Sequence, residues 1–326
     1  KKAGIKPDDV IVEVDDKSTQ DWNVARAVKE MEGPEGAELK LKVYRRSTGE
    51  LKTFTIKREK IQMHSIRGWR LDVDGNWDYY IDSSNHIGYM RISQFIDSTL
   101  DDFNKIVGEM LDTEIKALIL DLRGNPGGLM FTATGIIDRL IPQGVILKTR
   151  GENSPEQTHN ATADNTLPNF HLVVLIDKIS ASASEIVSGA LRDHKRAIVI
   201  GERSWGKGSV QRTFKLSGNR GVVKLTTDYY YLPNGSCIHK LDGAETWGVE
   251  PDIEVEFDGE NYKQLGDLML KLQGRGDNGE TDSNTAEDPA ELCKQLLELD
   301  NQLKAAVDKC LELIKIEPGL QPLDDN

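Results

Sequence analysis

The sequence predicts a layered α/β protein: a core of strand-turn-helix units over residues 62–257, preceded by a small mixed domain at 1–61 and followed by a helical tail at 289–326. Three observations carry this. The 326 residues exceed what one hydrophobic core usually holds, so more than one folding unit is expected. Between residues 117 and 200, short apolar runs alternate with glycine turns and helical-period segments, the grammar of parallel crossovers. The composition, 38% hydrophobic and 29% charged with 29 Gly against 11 Pro, is that of a folded globular chain and excludes a fibrous or disordered one.

The first sixty residues read as strand, helix, strand, strand. Apolar residues alternate at Val10, Val12 and Val14, at Leu39, Leu41 and Val43, and at Phe54 and Ile56, which marks half-buried strands. Between them, residues 21–31 carry Trp22, Val24, Ala25, Val28 and Met31 at helical spacing, with Asp21 as the expected cap and Gly33-Pro34 as the stop.

The core then runs as strand 117–122, a glycine turn, helix 130–140, strand 145–147 and a polar loop at 159–169. Strand 172–177, helix 183–194 and strand 197–200 make a unit long enough for a right-handed parallel crossover. A further strand at 221–231 follows, and the core extends to about Phe257.

A helix is expected at 258–273 and an acidic linker with almost no apolar content at 274–288. Beyond it Leu292, Leu296, Leu299, Leu303, Ala306, Cys310 and Leu313 repeat at four- and three-residue steps. That seam fits either a helix or helical hairpin packed on the body, or a homo-oligomer joined through the tail.

Other classes are excluded by simple counts. With 54 acidic and 41 basic residues the formal charge is -13, a field of the wrong sign for nucleic acid. No apolar run approaches the roughly 18 residues of a transmembrane helix. Cys237, Cys293 and Cys310 are too few for a disulfide framework and lack the pairing of a zinc site. The opening residues show no export signal, and the chain is read as beginning inside a domain.

Three segments can carry chemistry. In Ser182-Ala183-Ser184-Glu185 the outer residues form a capping box, which places Ser182 at a helix N-terminus among small neighbours. A hydroxyl there can cap the helix or attack a substrate, and attack requires a base. None of the six histidines (His64, His86, His159, His171, His194, His239) lies in a glycine-framed or acid-paired setting; His194 reads as part of a solvated helix end. The alternative base is a lysine taken out of water. Ser204-Trp205-Gly206-Lys207-Gly208-Ser209-Val210-Gln211 offers one in what two glycines and a tryptophan suggest is an enclosed site. In an extended segment Lys207, Ser209 and Gln211 point the same way, so Gln211 can accept from Lys207. A plain glycine turn explains the same residues, and the glycine spacing falls short of a phosphate-binding loop. In Asp121-Leu122-Arg123-Gly124-Asn125-Pro126-Gly127-Gly128-Leu129 a strand enters a turn whose amides can face an oxyanion, a phosphate or nothing.

In order and in wording these motifs resemble the protease domain of the carboxy-terminal processing (tail-specific) serine peptidases. The resemblance covers residues 3 to about 257. Ala3-Gly4-Ile5-Lys6-Pro7-Asp8-Asp9-Val10-Ile11 is similar to the middle of that family's PDZ module, and Phe54-Thr55-Ile56-Lys57-Arg58-Glu59-Lys60-Ile61 to its exit. Trp247-Gly248-Val249-Glu250-Pro251-Asp252 resembles the segment that closes the protease domain. The resemblance implies a crotonase-like ββα core, Ser182 as nucleophile, Lys207 as general base and Gln211 as the residue that orients it. It puts the oxyanion amides on Ala183 and Gly128, with Gly127 as the neighbouring option. It implies no metal or organic cofactor, polypeptide substrates with accessible C-termini, and a bacterial periplasm or cell envelope location, or else the thylakoid lumen. The chain departs from the family in beginning about halfway through the PDZ module, without the loop that binds a terminal carboxylate, and in having Asp8 where glycine is usual. Two other classes remain: a peptide-binding scaffold with a structural Ser-Lys region, and an acyl-CoA enzyme of the crotonase type.

Overall fold

The computed structural model describes residues 3–6, 9–59, 64–152, 154–219, 221–274 and 288–316. The acidic linker, apart from Gly274 and Asp288, and the Asp8 substitution lie outside them. The chain divides into two compact units, Lys1–Met63 with Met269–Ala286, and His64–Leu268 with Glu287–Asn326.

In the first unit, β1 (Asp9–Val14), β2 (Lys17–Ser18), α1 (Val24–Met31), β3 (Glu38–Arg45) and β4 (Glu50–Lys57) follow in the expected order. The strands make an antiparallel sheet ordered β2-β1-β3-β4. Leu39, Leu41 and Val43 alternate inward along β3, as their spacing requires. The small core joins Val14, Leu39 and Leu41 to Ile5, Ile11, Trp22, Met31 and Ile56. The cap of α1 is Asn23, whose Oδ1 accepts from the Arg26 N–H at 2.9 Å, and not Asp21. A turn from Thr19 to Trp22 delays the helix by two residues. Arg45 binds Asp9 through Nε (2.8 Å) and Nη2 (2.7 Å), and that bond holds the Asp9 carboxyl down to about 2.

The second unit holds β5 (Ile66–Arg67), a hairpin of β6 (Arg70–Leu71) and β7 (Trp77–Asp78), β8 (Tyr80–Asp82), β9 (Ile87–Ile92), α2 (Thr99–Asp112), β10 (Ala117–Asp121) and α3 (Met130–Leu140). Next come β11 (Gly144–Gly151), β12 (Ser154–Ala161), β13 (His171–Ile176), α4 (Ala183–Asp193), β14 (Ile198–Gly201), β15 (Ser209–Lys215), β16 (Val222–Tyr231) and β17 (Ile253–Glu254). Helix α5 (Tyr262–Leu272) spans the division between the units, and α6 (Pro289–Leu299) and α7 (Asn301–Ile316) complete the chain.

The main sheet runs β17-β14-β13-β10-β9-β5, with β8 also paired to β9, and its five strands from β17 to β9 are parallel. Helices cover both faces, which is why β10 and β13 read as continuous apolar runs. Leu118, Leu120, Val174 and Ile176 pack with the buried residues of α3 and α4. The alternating residues Ile119, Val173 and Leu175 are equally buried and face the other side, where α7 packs on β13, β10 and β14. Leu296, Leu303, Ala306 and Cys310 are buried, so the heptad seam is consumed within the unit and broken at Asp300 between two helices. Burial pushes the Cys310 thiol up to about 12.

A second, antiparallel sheet is ordered β12-β11-β16-β15. It corrects the expected polar loop at 159–169, whose first residues belong to β12: a polar strand with mostly exposed side chains, held by pairing with β11. His194 is also not a merely solvated residue, since its Nε2 lies 2.7 Å from the Val145 carbonyl. No helix among the described residues is long and apolar enough to cross a membrane.

Candidate active site

Three loops leave the C-terminal ends of neighbouring parallel strands: 122–129 after β10, 177–182 after β13 and 202–208 after β14. Adjacent strands with the same direction deliver their exits to one edge of the sheet, which brings together motifs far apart in sequence.

Of the three clustered serines, Ser180 and Ser184 are fully buried and their hydroxyls are committed. Ser180 Oγ donates to the Leu122 carbonyl at 2.9 Å, and Ser184 Oγ to the Asn125 carbonyl at 3.0 Å. Ser182 is the half-exposed one. Its backbone sits at φ 57°, ψ -114°, outside the helical and extended regions, a strained conformation that is retained only where its surroundings enforce it. The expected capping box is present, with the Ser182 N–H donating to Glu185 Oε2 at 2.7 Å.

The glycine turn closes on this serine. A Cβ on Gly127 (φ +101°) would lie 2.7 Å from Ser182 Cβ and 2.9 Å from the Ala183 nitrogen, so only glycine fits there. Asn125, fully buried, staples the two loops: its carbonyl accepts from the Ala181 N–H (3.0 Å) and Ser184 Oγ, while its Oδ1 accepts from the Gly127 N–H (2.8 Å). The Gly127 amide is therefore occupied. Gly128 donates to no partner among the described residues, and Ala183, the first residue of α4, likewise has an N–H that no described group accepts. The helix dipole adds its positive end at Ala183.

Glu185, fully buried, joins the serine loop to the lysine loop. Besides Ser182, its carboxylate accepts from Ser204 Oγ (2.6 Å), the Gly206 N–H (2.6 Å) and the Lys207 N–H (2.8 Å). Burial raises its pKa, and these four donors oppose the rise. One oxygen, Oε2, holds both the Ser182 and the Lys207 amide, which keeps the two residues side by side. The sequence showed Glu185 only as half of a capping box; its further role depends on a loop reached across the crossover.

The lysine itself departs from expectation. Lys207 is exposed, Trp205 is 61% exposed, and the Lys207 ammonium has no hydrogen-bond or ion-pair partner among the described residues. The flanking glycines serve backbone contacts instead: a Cβ on Gly206 would meet Trp247 at 2.7 Å, and one on Gly208 the His239 nitrogen at 2.5 Å. Gln211 is exposed on β15, and an irregularity between Val210 and Gln211 breaks the strict alternation that would align it with Lys207.

Behind the turn, Asp121 ends β10 fully buried and accepts from Tyr89 Oη (2.7 Å) and from Arg123. Burial pushes its carboxyl up, but the Arg123 and Arg91 guanidinium groups and these hydrogen bonds outweigh it and hold the group down to about 2. The domain-closing segment is pinned nearby, with the Val249 N–H on Ser204 Oγ at 2.7 Å and the Trp247 ring between Arg203 and Lys240.

Comparison with known proteins places the chain in a family. Residues 86–255 match the peptidase family S41 profile, and residues 1–44 match the PDZ domain. The carboxy-terminal-processing protease of Bartonella bacilliformis is 35% identical over 260 residues, 78% of this chain and 55% of that protein. The carboxy-terminal processing protease CtpB of Bacillus subtilis is 31% identical over 271 residues, 83% and 52% respectively. The chain thus spans about half the length of these relatives. Among solved structures, the photosystem II D1 C-terminal processing protease is similar at 25% identity and a TM-score of 0.50, covering 78% of this chain and 65% of that one.

Proposed function

The chain belongs to peptidase family S41, the carboxy-terminal processing serine proteases, and from that premise we propose that it is a serine endopeptidase whose nucleophile is Ser182 and whose general base is Lys207. The observation that carries this reading is the closure of the Gly127-Gly128 turn on Ser182 and Ala183, which leaves two amide donors at a strained serine. Ser182 Oγ attacks the scissile carbonyl and gives its proton to the neutral Lys207 amine. The oxyanion is held by the Gly128 and Ala183 N–H groups, the amine leaves with a proton, and water releases the acyl group from Ser182. The Ser182 and Lys207 backbones share one Glu185 oxygen, and the mechanism requires the exposed side chain of Lys207 to turn inward to the hydroxyl. Gln211 then accepts from the amine and holds it there. Substrates are polypeptides with accessible C-termini, and the place of action is the cell envelope or, in a plastid, the thylakoid lumen.

A peptide-binding scaffold is the second reading, favoured by the solvent-exposed Lys207. Labelling with a fluorophosphonate and mapping the adduct distinguishes the two: modification of Ser182 supports the peptidase, and saturable peptide binding without acylation supports the scaffold. Lys207→Ala is expected to abolish peptide cleavage and leave thermal unfolding nearly unchanged; retained turnover in that variant removes the dyad.

A further inference from the structure

The clearest feature that this mechanism leaves unused is a buried cluster joining the oxyanion turn to the last helix. Arg123 has five N–H donors, and each has an acceptor. Nε donates to Asp121 Oδ1 (3.0 Å) and Nη2 to Asp121 Oδ2 (2.7 Å) and Asp300 Oδ2 (2.9 Å). Nη1 donates to Asp300 Oδ1 (2.8 Å) and Gln302 Oε1 (3.1 Å). Asp300 and Gln302 are 4% and 1% exposed. They lie 177 and 179 positions from Arg123 and beyond residue 255, where the family match ends.

We propose that Asp300 and Gln302 are positioning residues of the active site, fixing through Arg123 the turn that presents the Gly128 amide to the oxyanion. The proposal rests on the peptidase reading above. Each partner of Arg123 is itself anchored. Asp121 is fixed at the end of β10 by Tyr89. Asp300 accepts from the Leu303 N–H at 2.9 Å at the start of α7, and Gln302 Nε2 donates to the Val255 carbonyl at 2.8 Å. The guanidinium is therefore a rigid plane clamped between the sheet and α7. The chain passes directly from it into the turn. The Arg123 carbonyl accepts from Arg91 Nη2 at 3.2 Å, the Gly124 N–H binds both oxygens of Asp177, and Asn125 then sets Gly127 against Ser182. Loss of the Asp300 charge leaves Arg123 near Arg91 with two donors lacking a carboxylate, and the segment from Arg123 to Gly128 must move to find other acceptors. A small displacement of an oxyanion donor weakens transition-state binding far more than substrate binding.

The test compares wild type with Asp300→Asn, which keeps the shape of the side chain, at temperatures well below both unfolding midpoints. The expected result is a kcat lower by about 10- to 100-fold with KM changed less than about twofold. Affinity for a peptidyl boronate, which mimics the tetrahedral adduct, should fall by the same factor, and amide hydrogen exchange of the 122–128 peptide should quicken. Asp300→Glu should recover part of the kcat. If Asp300→Asn does not fold, Gln302→Ala, which removes one acceptor, carries the test with an expected kcat loss of about 3- to 10-fold. Wild-type kcat and boronate affinity in a folded variant overturn the proposal. If the wild type neither cleaves peptides nor labels at Ser182, the peptidase reading fails by itself. The exchange measurement then decides the clamp, faster exchange in the variant supporting it and unchanged exchange refuting it.

Discussion

The two halves of the proposed active site are built to different specifications. Ser182, the glycine turn and Glu185 form a largely buried half, in which the turn and the serine loop are stapled together by Asn125, Ser180 and Ser184 while the Gly128 and Ala183 amides are left without an acceptor among the described residues. Lys207 and Gln211 form an exposed half, attached to the first through the backbone of Lys207 and otherwise carried on the edge strand β15. On the proposed mechanism, preorganisation is concentrated where charge develops, at the oxyanion, while the proposed proton acceptor sits on a long, exposed side chain. Such a division lets the costly geometry be fixed by the core and leaves the base adjustable.

The contrast can be broken in graded steps. The largest effect is expected from Lys207→Ala, which should remove turnover as completely as loss of the serine despite touching only the exposed half; peptide hydrolysis measures it. Next, Gly127→Ala forces a Cβ to within 2.7 Å of Ser182 Cβ, and should reduce kcat by about 100- to 1000-fold, as for loss of an oxyanion donor. A crystal structure or boronate titration would show whether the turn has moved. Glu185→Gln keeps one acceptor oxygen but turns an NH2 toward amides that now donate to a carboxylate. It should lower kcat by about tenfold or more and lower the unfolding midpoint, because it loosens the join between the halves.

The smallest effect concerns acid stability. The folded Asp121 carboxyl is held down to about 2, below the 3.8 of an ordinary aspartate, by the guanidinium groups beside it. A depressed carboxylate contributes stability that is fully present above the unfolded value and lost as pH falls through the folded one. Asp121 should thus supply about 2 kcal/mol at neutral pH that disappears between about pH 4 and pH 2. Asp121→Asn should flatten that part of a denaturant-unfolding profile, and an unchanged slope would remove Asp121 as its source.

Much of this was legible in the sequence because strand ends and motifs coincide. The runs at Ala117–Asp121, His171–Ile176 and Ile198–Gly201 are apolar on both faces, so their exits, with Gly127, Ser182 and Lys207, could be read as meeting at one edge. Other features resist such reading for physical reasons. Strand β12 has little apolar content and exists through its pairing with β11. Helix α2 carries a buried stripe at helical spacing, Phe103, Ile106, Val107 and Met110, but no capping side chain marks its start. The tightness around Lys207 belongs to the backbone: Gly206 and Gly208 make room for Trp247 and His239, and the lysine side chain itself is exposed. The distant acceptors of Arg123, Asp300 and Gln302 at the start of α7, carry no local signal, since nothing in a ten-residue window links position 123 to position 300.

The distribution of Arg123's acceptors bears on how the molecule is made. Synthesis from the N-terminus delivers the serine, the glycine turn and the lysine long before Asp300 and Gln302 emerge, so a nascent chain carries every reacting group while a cation behind its oxyanion turn still lacks part of its shell. On the peptidase and clamp proposals above, full hydrolytic power waits for the last helix, past the stage at which the chain's own unfolded strands are the peptides nearest to hand.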